Sequence, residues 1–206
     1  MVRVDFALIP GEPMFGEVIT ASQAITDEFC YNENVIDAEC FPPHLSLHIC
    51  TLPWAALGQV TAKLKVLAAA ALPDITPVTV ERANGGYVML SIERTPVLMD
   101  LHEAVLAVAA RARDGLDGDP YGSPWIRSSF TPHISLAKID RDDQAEATAI
   151  GLRTLGECLT ARSRTLDLCD IGEHSQRWDI LASFPAAEQM PIGAAQPGGP
   201  IPVMPA

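Results

Sequence analysis

Two kinds of hydrophobic pattern alternate along the chain. Short stretches in which apolar and polar residues alternate predict β-strands, and longer stretches with apolar residues every three or four positions predict amphipathic helices. The alternating stretches predict strands at 2–9, 44–50, 75–83, 87–93, 133–139, 164–172 and 177–184. The helical spacing predicts helices at 14–30, 54–72, 96–113 and 142–159. The turn Asn84-Gly85-Gly86 between two strands predicts a hairpin, and the composition of 115–124 predicts a loop.

The two halves of this pattern repeat each other. Each half is predicted as strand, helix, strand, helix, strand, the first over about 2–83 and the second over about 85–184. The second strand of each half carries nearly the same phrase, Pro-His-Leu-Ser-Leu at 43–47 and Pro-His-Ile-Ser-Leu at 132–136. Two copies of a half-domain often pack about a pseudo-twofold axis. Such packing would bring the two phrases face to face across a central cleft.

The strand at 44–50 has polar groups at every second position. Because side chains alternate between the faces of a strand, His44, Ser46 and His48 are predicted to share one face. Alone, this row could be a metal-binding strand. A His44/His48 metal pair, however, lacks a third ligand at a plausible spacing, so no metal is predicted.

The repeat separates the members of this row. His44 and Ser46 have counterparts in His133 and Ser135, so these four residues are the candidate catalytic set. His48 has no such counterpart, and it is interpreted as a substrate-side or structural residue. The alternative for the repeated histidines is that both are buried, hydrogen-bonded core residues, but packing alone does not explain a paired His-x-Ser.

A pair of imidazoles suits the cleavage of a phosphodiester. A neutral ring can take a proton from an attacking water while a protonated ring donates one to the departing alkoxide, and histidine holds either state near neutral pH. Two hydroxyl groups on the same strand faces could bond the non-bridging phosphoryl oxygens, where charge accumulates. This chemistry requires neither a metal nor another cofactor.

The paired motifs resemble those of the two-histidine (2H) phosphoesterase superfamily, and most closely its bacterial 2′-5′ RNA ligase, or RNA 2′,3′-cyclic phosphodiesterase, branch. The family signature is one His-x-Ser/Thr-x motif per lobe, matched here at 44–47 and 133–136. The resemblance implies a bilobal α+β fold with mainly antiparallel sheets flanking a cleft. It also implies that His44 is the general acid and His133 the general base.

Further residues are candidates for substrate binding. Relatives often have an arginine five residues after the second histidine, where this chain has Lys138. Strict alternation puts Lys138 on the face opposite His133, so it reaches the site only if the strand bulges or ends there. Tyr121, Trp125 and Arg127 precede the second motif and could stack on or contact a nucleobase, although loop packing is an equal alternative.

Composition restricts the class of protein and its partners. With 206 residues, 48% of them apolar, the chain is expected to form one domain over 1–184 and an irregular Pro-, Gly- and Ala-rich tail over 185–206. A formal charge of −12 disfavours binding to long duplex nucleic acid, because phosphate neutralisation supplies most of that affinity. Five cysteines without a CxxC pair fit a reducing cytoplasm. No apolar run is long enough to span a membrane, and the N-terminus does not resemble a signal peptide.

These observations predict an enzyme, a metal-independent phosphodiesterase that acts as a monomer on a small nucleotide or an RNA end. The substrate is expected to be a 2′,3′-cyclic phosphate or a 2′-5′-linked nucleotide. Two alternatives remain: a non-catalytic module that binds phosphorylated ligands with the same fold, and a metallohydrolase. A binding module would have no need to keep both proton-transfer groups, and a metallohydrolase would be sensitive to chelators.

Overall fold

The structure is a computed structural model that describes residues 1–30, 35–114, 126–140, 142–157, 159–172 and 178–187. Its strands and helices follow the order that the sequence predicts. The strands are β1 (Val2–Pro10), β2 (Leu45–Leu52), β3 (Asp74–Ile75), β4 (Pro77–Arg82), β5 (Tyr87–Ile92), β6 (His133–Lys138), β7 (Ala161–Asp170) and β8 (Asp179–Pro185). The α-helices are α1 (Met14–Glu28), α2 (Leu57–Ala69), α3 (Pro96–Ala112) and α4 (Gln144–Leu155), and 3₁₀ turns lie at Trp54–Ala56 and Arg127–Ser129.

The predicted boundaries differ from the observed ones in two instructive places. The single strand predicted at 75–83 is interrupted at Thr76, and its parts, β3 and β4, pair with different strands, β7 and β5. The helix predicted from residue 54 starts as a 3₁₀ turn after Pro53 and becomes α-helical at Leu57. The predicted loop at 115–124 and the tail beyond residue 187 lie outside the described residues.

The strands form one antiparallel sheet in the order β3-β7-β1-β2-β6-β5-β4, with β8 added to β7. The motif strands β2 and β6 are central neighbours, and the first strands of the two halves, β1 and β5, lie outside them. Strand β7 from the second half pairs with β1, while β4 from the first half pairs with β5. The predicted antiparallel α+β fold is therefore confirmed, with the strands of both halves joined in a single sheet.

The two faces of the sheet are covered differently. One face and the four helices share the main apolar core, which includes Phe6, Leu45 and Ile134 together with buried residues from every helix. The other face carries a smaller buried cluster of Ala7, Ile9, Cys169, Ile171 and Trp178. Among the helices that the structure describes, none is long and apolar enough to cross a membrane.

A β-bulge recurs at the equivalent position of each motif strand. In β2, Ser46 pairs with Ala7 and His48 with Phe6, so Leu47 is an extra residue. In β6, Ser135 pairs with Met89 and Ala137 with Val88, so Leu136 is the extra residue. One inserted residue reverses the facing of every later side chain in a strand. The side chains that follow each bulge therefore point to the face opposite the one that simple alternation predicts.

The hairpin between β4 and β5 depends on Gly86. Its φ of +89° is unfavourable for other residues, and a Cβ there would lie 2.7 Å from the Ile139 carbonyl oxygen. Replacing Gly86 by alanine is expected to lower the free energy of unfolding by about 1–3 kcal/mol. Gly58→Ala is the matched control, because a Cβ at Gly58 meets nothing within 4 Å and should be neutral or slightly stabilising. Urea unfolding of both variants checks this, and equal stability of Gly86→Ala and wild type would contradict it.

Candidate active site

The two motifs meet side by side at the centre of the sheet. Leu45 of β2 and Ile134 of β6 are register partners, and both are fully buried in the main core. The neighbouring residues of each strand therefore point to the other face, where one step of register places His44 beside Ser135 and Ser46 beside His133. Directly opposed side chains in antiparallel strands have Cβ atoms about 4.5–5.5 Å apart. The two motifs therefore lie side by side on adjacent strands of one sheet.

Both imidazoles are held in the same way. His44 Nδ1 lies 2.9 Å from the Pro42 carbonyl oxygen, and His133 Nδ1 lies 2.8 Å from the Thr131 carbonyl oxygen. Because a carbonyl oxygen only accepts hydrogen bonds, Nδ1 carries the proton in each ring. In the neutral form, Nε2 is then the basic atom of both rings, which orients them equivalently for proton transfer.

His44 is enclosed by aromatic rings. The Trp178 ring centroid lies 4.1 Å from that of His44, and the Phe41 ring packs edge-on at 5.4 Å. Burial lowers the pKa of His44 to about 4; the hydrogen bond to Pro42 raises it, and the charge of nearby His133 lowers it further. His44 is therefore neutral at pH 7 in the unliganded protein.

Asp5 on β1 completes the site on the His44 side, and the sequence analysis missed it. Its Oδ2 lies 2.5 Å from Ser46 Oγ and 3.9 Å from His44 Nε2. The residue is 1% exposed, and burial raises its pKa to about 7 against the opposing effects of the Ser46 hydrogen bond and Arg3. A lone acidic residue within the otherwise apolar stretch Val4–Pro10 was the available signal.

Comparison with known proteins identifies the family. A family model described as the 2′-5′ RNA ligase superfamily matches residues 18–168. The chain belongs to this superfamily. Its members are 2H phosphoesterases, and membership together with the fold indicates a phosphoesterase activity of the 2H type. No curated protein matches the chain.

Solved structures are similar to this chain at low sequence identity. A protein described as a phosphoesterase is 14% identical, with a TM-score of 0.52 over 90% of this chain and 99% of that one. Usb1 from Kluyveromyces marxianus is 14% identical, with a TM-score of 0.45 over 89% of this chain and 97% of that one. The same protein with uridine monophosphate is 13% identical, with a TM-score of 0.41 over 89% and 98%.

The bulge at Leu136 changes the position of Lys138 in this superfamily member. Simple alternation would turn Lys138 away from His133, but the extra residue restores it to the face of His133 and Ser135. Lys138 pairs in register with Tyr87, and its Nζ lies 5.7 Å from the centroid of the Tyr87 ring. The condition under which Lys138 could reach the site, a bulged strand, is met.

The equivalent bulge at Leu47 has the opposite consequence for His48. His48 pairs with Phe6, stacks on its ring at a centroid distance of 6.2 Å and an interplanar angle of 27°, and is buried on the main-core side. The prediction that His48 shares a face with His44 and Ser46 is therefore wrong. Its predicted role in substrate binding is not favoured by this placement.

The remaining candidates lie before β6. The Arg127 side chain is exposed and its Nε lies 3.8 Å from Glu103 on α3, while its backbone N–H donates to His102 Nε2 at 2.9 Å. The other ring nitrogen of His102 donates to the Leu47 carbonyl, so the ring links this segment to the bulge in β2. Tyr121 and Trp125 lie outside the described residues. Within the described ranges, no three His, Cys, Asp or Glu side chains are grouped closely enough to hold a metal ion.

Proposed function

We propose that this protein is a metal-independent phosphodiesterase that hydrolyses 2′,3′-cyclic phosphates or 2′-5′-linked nucleotides at small substrates or RNA ends. The observation that supports it best is the pair of identically oriented imidazoles. Each is fixed through Nδ1 to a carbonyl two residues earlier, and each lies beside the serine of the other motif. Two rings held in this way can take a proton from the water that attacks a single phosphodiester and give a proton to the oxygen that leaves it.

The reaction needs one base and one acid. The base ring takes a proton from water through Nε2, and the water oxygen forms a bond to phosphorus. The bond from phosphorus to the leaving ribose oxygen breaks, and the acid ring gives its Nε2 proton to that oxygen. Ser46 and Ser135 donate hydrogen bonds to the non-bridging oxygens, and Lys138 supplies a positive charge on the same face. Lys138 acts as a point charge, because an ammonium group lacks the two-pronged geometry of arginine.

The electrostatics of the site favour one order of roles. His44 is neutral at pH 7, because burial lowers its pKa to about 4, so its Nε2 lone pair is available to face the attacking water. We therefore assign His44 as the base and His133 as the acid, the reverse of the order implied by family resemblance. The aromatic enclosure of His44, which favours its neutral form, is consistent with this division.

The charge of the chain restricts the proposed substrates. A net charge of −12 repels extended polyanions, whereas a single phosphate group can be held by local donors and Lys138. We therefore propose mononucleotides and RNA termini, bound by a monomer, in preference to long duplexes.

Incubation with a 2′,3′-cyclic mononucleotide and with a 2′-5′-linked dinucleotide, both in excess chelator, tests the proposal. Hydrolysis of at least one of them to a single phosphate isomer is expected, and a 3′-5′-linked dinucleotide serves as the comparison substrate. Turnover that disappears in chelator would indicate a metallohydrolase. Tight nucleotide binding without turnover of any diester would indicate a binding module.

A further inference from the structure

Asp5 is a buried carboxyl group beside the motif pair that the proposed reaction does not use. Its Oδ2 contacts Ser46 Oγ, and its Oδ1 has no hydrogen-bond partner among the residues that the structure describes. A buried carboxylate requires several donors to offset the loss of hydration, whereas a neutral acid requires fewer. This environment therefore suits the protonated acid better than the carboxylate.

Four groups face Asp5 from its own strand and from the strands beside it, and burial outweighs those that favour ionisation. They are Arg3 on β1, Ser46 on β2, His44 at the entrance to β2, and Cys169, which is the register partner of Asp5 on β7. Arg3 favours ionisation of Asp5, but burial outweighs it and the pKa of the carboxyl is about 7. Burial keeps the pKa of the Cys169 thiol well above its ordinary value, so this neighbour is uncharged.

The protonation state of Asp5 decides what Ser46 can offer a ligand. A hydroxyl group has one hydrogen to donate and two lone pairs with which to accept. If Asp5 is ionised, the Ser46 hydrogen is used in the bond to Oδ2, and only lone pairs face an incoming phosphate. If Asp5 is protonated, it donates to Ser46 Oγ, and the serine hydrogen is free to point elsewhere.

We propose that Asp5 is a positioning residue. It stays protonated and donates a hydrogen bond to Ser46 Oγ, so that the Ser46 hydroxyl can donate a hydrogen bond to a non-bridging oxygen of a phosphodiester anion. This inference rests on the proposed function, because it assumes that a diester occupies the face shared by the two motifs. Ionisation of Asp5 removes the donor and adds a negative charge close to the ligand. Affinity for a diester anion therefore falls as Asp5 loses its proton.

A buried carboxyl group accompanies the motif strand in only one half of the described structure. Counted from the two bulges, Asp5 and Tyr87 occupy equivalent positions. Asp5 pairs with Ile49 of β2, and Tyr87 pairs with Lys138 of β6. One half thus carries a buried acid at this position, and the other an aromatic ring beside a cation. The pH dependence of Ser46 consequently has no carboxyl counterpart at the matching position near Ser135.

The dissociation constant of a 2′,3′-cyclic phosphorothioate, measured by calorimetry at several pH values, tests the proposal. This diester keeps a single negative charge from about pH 5.5 to about pH 8.5, so changes in affinity report on the protein. Binding to wild type is expected to weaken by about tenfold per pH unit above the pKa of Asp5. In Asp5→Asn the side-chain amide is always neutral and can donate to Ser46 Oγ, so its pH profile should lack the decline in affinity that ionisation of Asp5 causes in wild type.

A double-mutant cycle with Ser46→Ala separates orientation from charge. Without the serine hydroxyl, the effect of Asp5→Asn at high pH should shrink markedly. An undiminished effect would mean that Asp5 acts through charge alone and would overturn the proposal. Coincident pH profiles of wild type and Asp5→Asn, or no binding to wild type at any pH, would also overturn it.

A measurement that needs no ligand accompanies the cycle. The carbon-13 resonance of the Asp5 carboxyl, assigned by its loss in Asp5→Asn, should titrate with a midpoint near 7. A midpoint near the ordinary aspartate value of about 3.9 would overturn the proposal. Pronounced pH-dependent binding without hydrolysis of any diester would leave Asp5 in its positioning role and refute only the proposed catalysis.

Discussion

Replacing either His44 or His133 by alanine is expected to lower kcat for a 2′,3′-cyclic diester by about 10²–10⁴-fold. In the proposed reaction each ring performs one of the two proton transfers, and no other described imidazole lies on the same sheet face. The decrease in kcat of the double variant should be smaller than the product of the two single decreases, because one ring contributes little to kcat once the other has been removed. Steady-state kinetics on the three variants, with urea unfolding to verify folding, measures this effect.

A diester with a 4-nitrophenolate leaving group distinguishes the two roles. Such a leaving group needs little protonation, so His133→Ala should recover most of its activity on this substrate, whereas His44→Ala should not. Recovery in His44→Ala instead would restore the order implied by family resemblance. His48→Gln is the matched control, because His48 lies on the main-core side of β2; its kcat should stay within about threefold of wild type. Near-wild-type turnover in either alanine variant would refute the paired mechanism.

The stability of the protein should respond to pH in opposite directions when Asp5 or His44 is removed. The pKa of Asp5 is raised to about 7, so its contribution to stability is complete below about pH 4 and is lost as the pH rises through 7. The pKa of His44 is lowered to about 4, so its contribution is complete above about pH 6.5 and is lost as the pH falls through 4. Between these limits the two slopes cancel in wild type, because the folded and unfolded pairs each bind one proton.

In the single variants, the pH dependence of the free energy of unfolding that cancels in wild type should become measurable. In Asp5→Asn, the free energy of unfolding is expected to increase from about pH 4 to about pH 6.5, by on the order of 3 kcal/mol. In His44→Gln, it is expected to decrease from about pH 4 to about pH 7 by a similar amount. Urea unfolding at a series of pH values checks both, with the double variant as the reference. Parallel curves for wild type and the two single variants would contradict the opposed titrations.

The sequence predicted the order of the elements because each has a clear hydrophobic period, and it predicted the motif pair because the phrase occurs twice. It could not predict the bulges, since Leu45, Leu47 and Ile49 fit simple alternation equally well. The facing of His48 and Lys138 was therefore not predictable from residue spacing. Bulges are set by how two strands pair, and pairing is a property of the fold.

The site also depends on contacts that are remote in the sequence. Asp5 meets Ser46 across 41 residues, and Trp178 packs on His44 from the far end of the chain. Neither contact leaves a local pattern, because strand pairing alone brings these residues together. The separation of β3 from β4 at Thr76 has the same origin, since each part follows a different partner strand.

The exchange of strands between the halves determines when the site can form during synthesis. Strand β1 needs β7 on one side, yet β7 begins at Ala161, so this edge of β1 stays unpaired until most of the chain has emerged. At about 5–20 residues per second, the delay is roughly 8–30 s. An unpaired edge is a template for association with other chains, so the nascent protein passes through an aggregation-prone stage. Asp5 becomes enclosed only when β7 docks, so the environment that retains its proton is among the last features to form.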